Sequence, residues 1–492
     1  MRLGKILAVV QPTARLRCGR TRLSYWRCNK YTTSAAASRE AKSSASYAIP
    51  AWLLKVLSDN APGPRLYRWT PDDVADQPII PRRGRATLDD SRQRIYIAGM
   101  GNLGRLFASA LAKLPKRPPI TLVVHRPELL KYWRAVPGVV LHPPEYDGSE
   151  QGQGDSSLRI TDFDVEMWSE TPPPHTDVHA AEISPIKNLI IATKAQDALP
   201  TADWVRRYLG PDTAVAFAQN GMNKLWSPYG EMYSKARYHD YARSPLWLAC
   251  VVTHGVYSVG PFASVHASPA NVVLGAVDKV GGRDAREAYL VNQILAASQL
   301  DARWATRHAL WLLQLEKLVV NAVINPLTAI LRCKNGALFA VNTGEDSVKT
   351  VLPRVIDQLL TEASAVLRAL AQYEIKTGSI FGDSTTPDEA SVAELAQRLS
   401  FAKLRAMVYR VGELVKDNSS SMYQDAQAGK KTEVREFNGW IVDMARYLES
   451  VAATDSNTLD VTGHQMIVDL VEKAVPMTQE KLGEYFFSNK KS

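Results

Sequence analysis

In the stretch LWLLQLEKLVVNAVINPLTAIL, residues 310 to 331, one ammonium and two carboxamides stand four residues apart: Lys317, Asn321 and Asn325. On a helix turning about 100° per residue they fall within an arc of roughly 80°, a narrow polar stripe on an otherwise apolar cylinder. Burying such groups unpartnered costs several kcal/mol, so the stripe should meet water, a polar neighbour or a ligand. Pro326 follows directly, and a proline inside a helix removes one backbone hydrogen bond and leaves a carbonyl free nearby. Where negative charge grows on a substrate oxygen, such an ammonium would meet it with a proton or a positive charge. The competing use of the stripe is a buried polar cluster tying helices together. A second polar cluster lies downstream, where Asn418, Ser419, Ser420 and Ser421 break a helical segment and Lys431 to Arg435 starts the next. Hydroxyls in a turn can hold a carboxylate, and Glu433 in a first helical turn reads on its own as a capping carboxylate.

These groups need a framework, and IYIAGMGNLGRLFASALAKL, residues 95 to 114, supplies its first piece. Ile95 to Ile97 read as a buried strand, and Leu103, Phe107, Ala110, Leu111 and Leu114 recur at helical spacing. Between them the turn Gly99, Met100, Gly101, Asn102, Leu103, Gly104 has the G-x-G-x-x-G spacing. In a strand–turn–helix setting this predicts a dinucleotide site: Gly99 for the tight turn, Gly101 for close approach of a pyrophosphate, Gly104 for helix–strand packing. The phosphates would rest on the helix N-terminus.

Further buried strands are predicted at Ile120 to Val124, Lys187 to Thr193 and Ala214 to Ala218. In an open parallel sheet, ligands bind beyond the carboxyl ends of the strands, and here those ends carry Arg126, Lys194 and Asn220. An NAD site usually has Asp or Glu at the second strand end to hold the ribose 2′-hydroxyl. Arg126 stands there instead, and its fork of donors suits a 2′-phosphate, so the expected cofactor is NADPH. Residues 247–259 and 264–275 are expected to complete the sheet, with His254 and His266 as structural histidines. From about Arg283 the pattern turns helical and stays so, which places a domain boundary near residue 280.

The chain has 492 residues and a net charge of +9. All of that charge sits in residues 1 to 39, which hold nine Lys or Arg and no acid, whereas the other 453 residues balance to zero. A neutral body argues against nucleic acid as a partner. An Arg-, Ser- and Ala-rich leader without acids has the composition of a mitochondrial presequence, expected at 1–42 with the matrix as destination; its apolar stretch is too short for a secretory signal. A Pro-rich extension, 43–93, with a short helix near Trp52 to Leu57, precedes the first domain. Of the four cysteines only Cys250 and Cys333 lie outside the leader, so neither a disulfide framework nor a cysteine-based metal site is expected. No run of about 18 uncharged apolar residues suggests a membrane span.

Together, GMGNLG at 99–104, Lys194 after a buried strand, QNGM at 219–222, EKLVVNAVINPLTAI at 316–330, CKNG at 333–336 and SSSMYQDAQAGKKTE at 419–433 resemble the 2-dehydropantoate 2-reductase (ketopantoate reductase) family. The resemblance spans about 94 to 475, with longer loops near 141–185 and 376–400. It implies an α/β Rossmann-type domain, 94–280, followed by an all-α domain, 281–492, like the C-terminal domain of 6-phosphogluconate dehydrogenase. It also implies reduction of 2-dehydropantoate by NADPH, with Lys317 as general acid. Asn220, Asn321, Asn325, Asn335, Asn418, Ser419, Ser420 and Ser421 then match substrate contacts. Gly99, Met100, Gly101, Asn102, Leu103, Gly104, Arg126, Lys194, Asn220 and Glu433 match cofactor contacts, so Glu433 would hold a ribose. The expected partners are a 2-oxo acid and, as an assembly, a homodimer; no metal is expected. Two other readings remain open: a reductase of another 2-oxo acid, and a catalytically silent member binding RNA or a protein assembly in mitochondria.

Overall fold

The computed structural model describes residues 49–74, 88–145, 159–174, 178–239, 241–278, 284–340, 351–378, 380, 389–452 and 458–487. The leader expected at 1–42 and parts of the two long loops lie outside them. Among the described residues the main sheet has nine strands. Numbered along the chain, their order is β1 (Tyr67–Trp69), β6 (Asp164–Ser169), β3 (Ile120–Val124), β2 (Ile95–Ala98), β7 (Asn188–Ile191), β8 (Ala214–Phe217), β9 (Leu246–Val252), β12 (Val272–Ala276) and β13 (Ala302–Trp304). Pairing is parallel from β6 through β9, with β1 and β12 antiparallel to β6 and β9.

Strands covered on both faces are apolar throughout, and ITLVV, NLII and LWLACVV are buried along their whole length. Their side chains alternate between two layers. On β9, Leu246, Leu248, Cys250 and Val252 join the layer around the helix Asn102–Ala112. Trp247, Ala249 and Val251 join the other, built largely from the helical half of the chain. The sheet is therefore the partition on which both halves rest.

Two expectations need correction. β10 (Gly255–Gly260) and β11 (Ala263–Ser268) do not complete the main sheet; they form a second one, ordered β10, β11, β4 (Val139–His142), β5 (Arg159–Ile160). Tyr257, Ser258 and Val259 on β10 are exposed, a pattern unfit for a sheet covered on both faces, and the fully buried β12 takes the place beside β9 instead. Nor does the chain stay helical from 283: after the helix Tyr289–Ala296, β13 still joins the main sheet beside β12, and the first long helix starts at Arg307. Composition marks a change of pattern, but a three-residue strand is too short to register in it.

Residues 49–74, the described part of the segment that precedes the first domain, are built into the fold. The helix Ala51–Ser58 forms where expected and buries Leu53, and Trp52 meets Tyr229 edge to face at 6.1 Å. Arg237, Arg206 and Arg207 donate to the carbonyls of Asp59 (2.6 Å), Ala61 (2.9 Å) and Gly63 (2.7 Å), tying down the chain that leads to β1.

The long helix Arg307–Leu331 starts on a Thr306 cap and continues through Pro326. The carbonyl that a residue-326 N–H would have taken is that of Ala322, and the Asn438 amide donates to it at 2.9 Å. The freed carbonyl thus ties two helices together rather than facing the stripe. Asn438 also donates to Nδ1 of the fully buried His464 at 3.0 Å, and His464 Nε2–H donates to Leu359 O at 2.9 Å. Burial lowers the His464 pKa to about 4. An unfolded chain binds this proton below about pH 6.5, so the stability is fully present above 6.5 and falls by roughly 2–3 kcal/mol as pH drops toward 4. Denaturant melts at pH 7.5 and 4.5 should show the wild type losing that much more than His464→Gln; equal losses would remove His464 as the cause.

Candidate active site

Four adjacent parallel strands end along one edge of the sheet: β3 leads into Arg126, β2 into the glycine turn, β7 into Lys194 and β8 into Asn220. The alignment expected from the sequence is what the topology builds. Arg126 is exposed at the start of the helix Pro127–Ala135. At the turn, Gly99 has φ +94°, and a Cβ there would meet the Ala192–Thr193 backbone at 2.8 Å. A Cβ on Gly104 would stand 2.0 Å from the Gly99 carbonyl oxygen, whereas one on Gly101 would meet nothing within 4 Å. The helix Asn102–Ala112 carries no side-chain cap at its N-terminus. An open glycine at an uncapped helix start is the cradle a pyrophosphate needs.

The stripe helix faces this edge. Lys317 Nζ donates to Asn220 Oδ1 at 3.1 Å, in the turn after β8, and to the carbonyl of Val252, the last residue of β9. An ammonium has three donors, so one remains for a ligand. Burial pushes the Lys317 pKa down to about 8, against the pull of the Glu433 carboxylate. One turn earlier, Gln314 donates to Gly221 O at 3.3 Å and accepts from Trp226 Nε1, which seats the helix on the same loop. One turn later, the Asn321 amide nitrogen is buried without a partner, and Asn325 is buried beyond it.

Across the cleft, Lys194 Nζ lies 2.5 Å from Asp425 Oδ2 and 3.7 Å from Glu433 Oε2. Burial works against the Lys194 charge, but the two carboxylates outweigh it and leave its pKa raised. Glu433 is buried and does not cap its own helix, Val434–Val451; instead Oε1 accepts from the N–H of Ala195, the first residue of the helix Ala195–Trp204. Burial raises its pKa in spite of Lys194 and that N–H. The expected cap on its own helix therefore does not form; the carboxylate accepts instead from the start of a helix across the cleft.

Family models described as Ketopantoate reductase PanE/ApbA and Ketopantoate reductase PanE/ApbA C terminal match residues 95–279 and 309–471. The chain belongs to the ketopantoate reductase family. The family is NADP-dependent, and the glycine cradle with Arg126 nearby fits that cofactor. The chain is 38% identical over 473 residues to the ketoisovalerate reductase of Beauveria bassiana, covering 88% of this chain and 98% of that one. To a probable 2-dehydropantoate 2-reductase of Schizosaccharomyces pombe it is 25% identical over 366 residues, 71% of this chain and 90% of that one. A PanE/ApbA family ketopantoate reductase from Ralstonia eutropha JMP134 shares the fold, with a TM-score of 0.51 at 19% identity over 79% of this chain and 99% of that one.

Around this cleft, the serine turn is put to more than one use. Ser420 is buried as the cap of the helix Ser421–Gln427, accepting from Tyr423 N at 3.0 Å, and its hydroxyl lies 2.7 Å from Thr328 Oγ1 on the stripe helix. Asn335 is buried too: its amide donates to Val415 O at 3.1 Å and its backbone N–H to Asn418 O at 3.1 Å. These two, matched to substrate contacts, hold the turn in place, while Asn418 and Ser421 are exposed and Ser419 half-buried. Asp425, the partner of Lys194, was missed as a site residue although the QD of the serine motif contains it, because a carboxylate on a short helix gives no sign of what it faces. The Val252 carbonyl has no signature in a sequence at all. His254 and His266 stand apart as a hydrogen-bonded pair, Nδ1 to Nε2 at 2.9 Å, with His254 Nε2 on Leu300 O at 3.0 Å. Among the described residues no cluster of metal-ligating side chains is found, and no helix is long and apolar enough to cross a membrane.

Proposed function

We propose that the protein is an NADPH-dependent reductase of a branched 2-oxo acid, with ketoisovalerate as substrate and Lys317 as proton donor. What carries the choice of substrate is the 38% identity to a ketoisovalerate reductase along nearly the full length of both chains, against 25% to a probable 2-dehydropantoate 2-reductase. NADPH, when bound, supplies a hydride to the carbonyl carbon C2. Lys317, held by Asn220 and the Val252 carbonyl, gives its remaining N–H to the C2 oxygen and so neutralises the charge growing there. The exposed members of the serine turn, Asn418 and Ser421, would hold the substrate carboxylate, and Arg126 the 2′-phosphate.

A second reading, 2-dehydropantoate, is favoured by the buried, unpartnered amide of Asn321. 2-Dehydropantoate is ketoisovalerate with an added hydroxymethyl group, and that hydroxyl would satisfy the amide. The two readings differ in magnitude. A site built to bind a hydroxyl rejects the analogue lacking it by about 10⁴-fold, whereas an apolar pocket rejects an added hydroxyl by only about 10²-fold. The kcat/KM of each substrate with NADPH decides. Ketoisovalerate at or above 2-dehydropantoate supports our reading; a deficit near 10⁴-fold would reverse it, and no turnover of either would favour a silent family member.

A further inference from the structure

Arg105 follows the third glycine of the turn and is only 8% exposed. A buried cation is ordinarily paired with a carboxylate. Arg105 is not. Its Nε donates to Met100 O at 3.0 Å, and its Nη1 reaches the Ser258 hydroxyl (3.1 Å), the Ala263 carbonyl (2.6 Å) and the Ser264 hydroxyl (3.0 Å). Ser264 in turn donates to Asn102 Oδ1 at 3.1 Å. Every partner is neutral. Burial lowers the Arg105 pKa to about 10, with Tyr132 acting weakly the other way, so the guanidinium stays charged at neutral pH.

This arrangement acts on the glycine turn in two ways. Because a peptide is planar and trans, holding the Met100 carbonyl turns the Gly101 N–H to the opposite side. Gly101 is the position with open space beside it. In addition, a positive charge without a counter-ion lies against the start of the helix Asn102–Ala112, where it adds to the helix dipole in a medium of low dielectric. The socket for that charge comes from β10 and β11, which gives the second sheet a task.

We propose that Arg105 is a positioning residue of the dinucleotide site: clamped by the second sheet, it fixes the Met100–Gly101 peptide and supplies the buried counter-charge for the cofactor's pyrophosphate. This rests on the NADPH dependence of the family and not on the choice of 2-oxo acid. The test uses the full chain and Arg105→Met, Arg105→Gln and Arg105→Lys, with NADPH affinity read by fluorescence titration and folding by Tm. Titration with 2′-AMP, which carries the 2′-phosphate but no pyrophosphate, separates the two ends of the cofactor.

Removing the charge in Arg105→Met should raise the NADPH Kd by about tenfold or more, leave the 2′-AMP Kd within about twofold, and leave kcat at saturating NADPH within about threefold. Arg105→Lys, which keeps the charge, should recover most of the loss. If Arg105→Met does not fold, Arg105→Gln carries the same expectation, since it keeps a donor for Met100 without the charge. The proposal is overturned if the neutral variants bind NADPH like the wild type. It is equally overturned if they lose NADPH and 2′-AMP alike, or if Arg105→Lys is no better than Arg105→Met.

Discussion

Lys317→Ala is expected to lower kcat by about 10²- to 10⁴-fold, the usual worth of a positioned general acid, while NADPH binding stays close to that of the wild type. The reason is the division of labour in the cleft. Lys317 stands on the stripe helix and hydrogen-bonds to Asn220 and the Val252 carbonyl, whereas the glycine turn and Arg126 belong to the sheet edge itself. A truncated lysine therefore removes a proton source without disturbing the cradle. The pH profile gives a second handle. Below about 8 the ammonium holds the proton it must give, and that proton is lost as pH rises through about 8, so kcat/KM should fall on the alkaline side. The Glu433 carboxylate raises the Lys317 pKa, so Glu433→Gln should move this limb to lower pH. Wild-type turnover by Lys317→Ala would sink the assignment.

Two alanine substitutions three residues apart should fail for opposite reasons. Gly104→Ala places a Cβ 2.0 Å from the Gly99 carbonyl, a backbone atom that cannot step aside, so a loss of about 3 kcal/mol or more in stability is expected together with loss of NADPH. Gly101→Ala meets nothing within 4 Å, so its Tm should match the wild type. Its NADPH Kd should nevertheless rise by about tenfold or more, because the methyl enters the space a pyrophosphate would use. Thermal melts with NADPH titrations separate the two. A stable Gly101→Ala that binds NADPH normally would show that the open space is not the phosphate cradle.

How far the sequence could be read follows from the range of the forces involved. Periodicity and turn chemistry act within a few residues, so β2, the glycine turn and the helix Asn102–Ala112 were legible, as were the buried strands β3, β7 and β8 and the polar stripe. The order of the strands was only partly legible. β10 and β11 look like any other strands until the competition for the edge of β9 is settled by β12, and that contest involves burial on both faces at once.

The sequence by itself determined the family and the nicotinamide cofactor and singled out Lys317 as the candidate acid, because each is carried by residue types at short, fixed spacings. Only the tertiary structure decided what those residues touch. Glu433 meets the start of a helix more than two hundred positions away, Lys194 meets Asp425, the carbonyl released by Pro326 meets Asn438, and Arg105 meets, among the described residues, only neutral groups. Hydrogen bonds and ion pairs act over about 3–4 Å in space, and one sequence carries no record of which distant segments fold into that range.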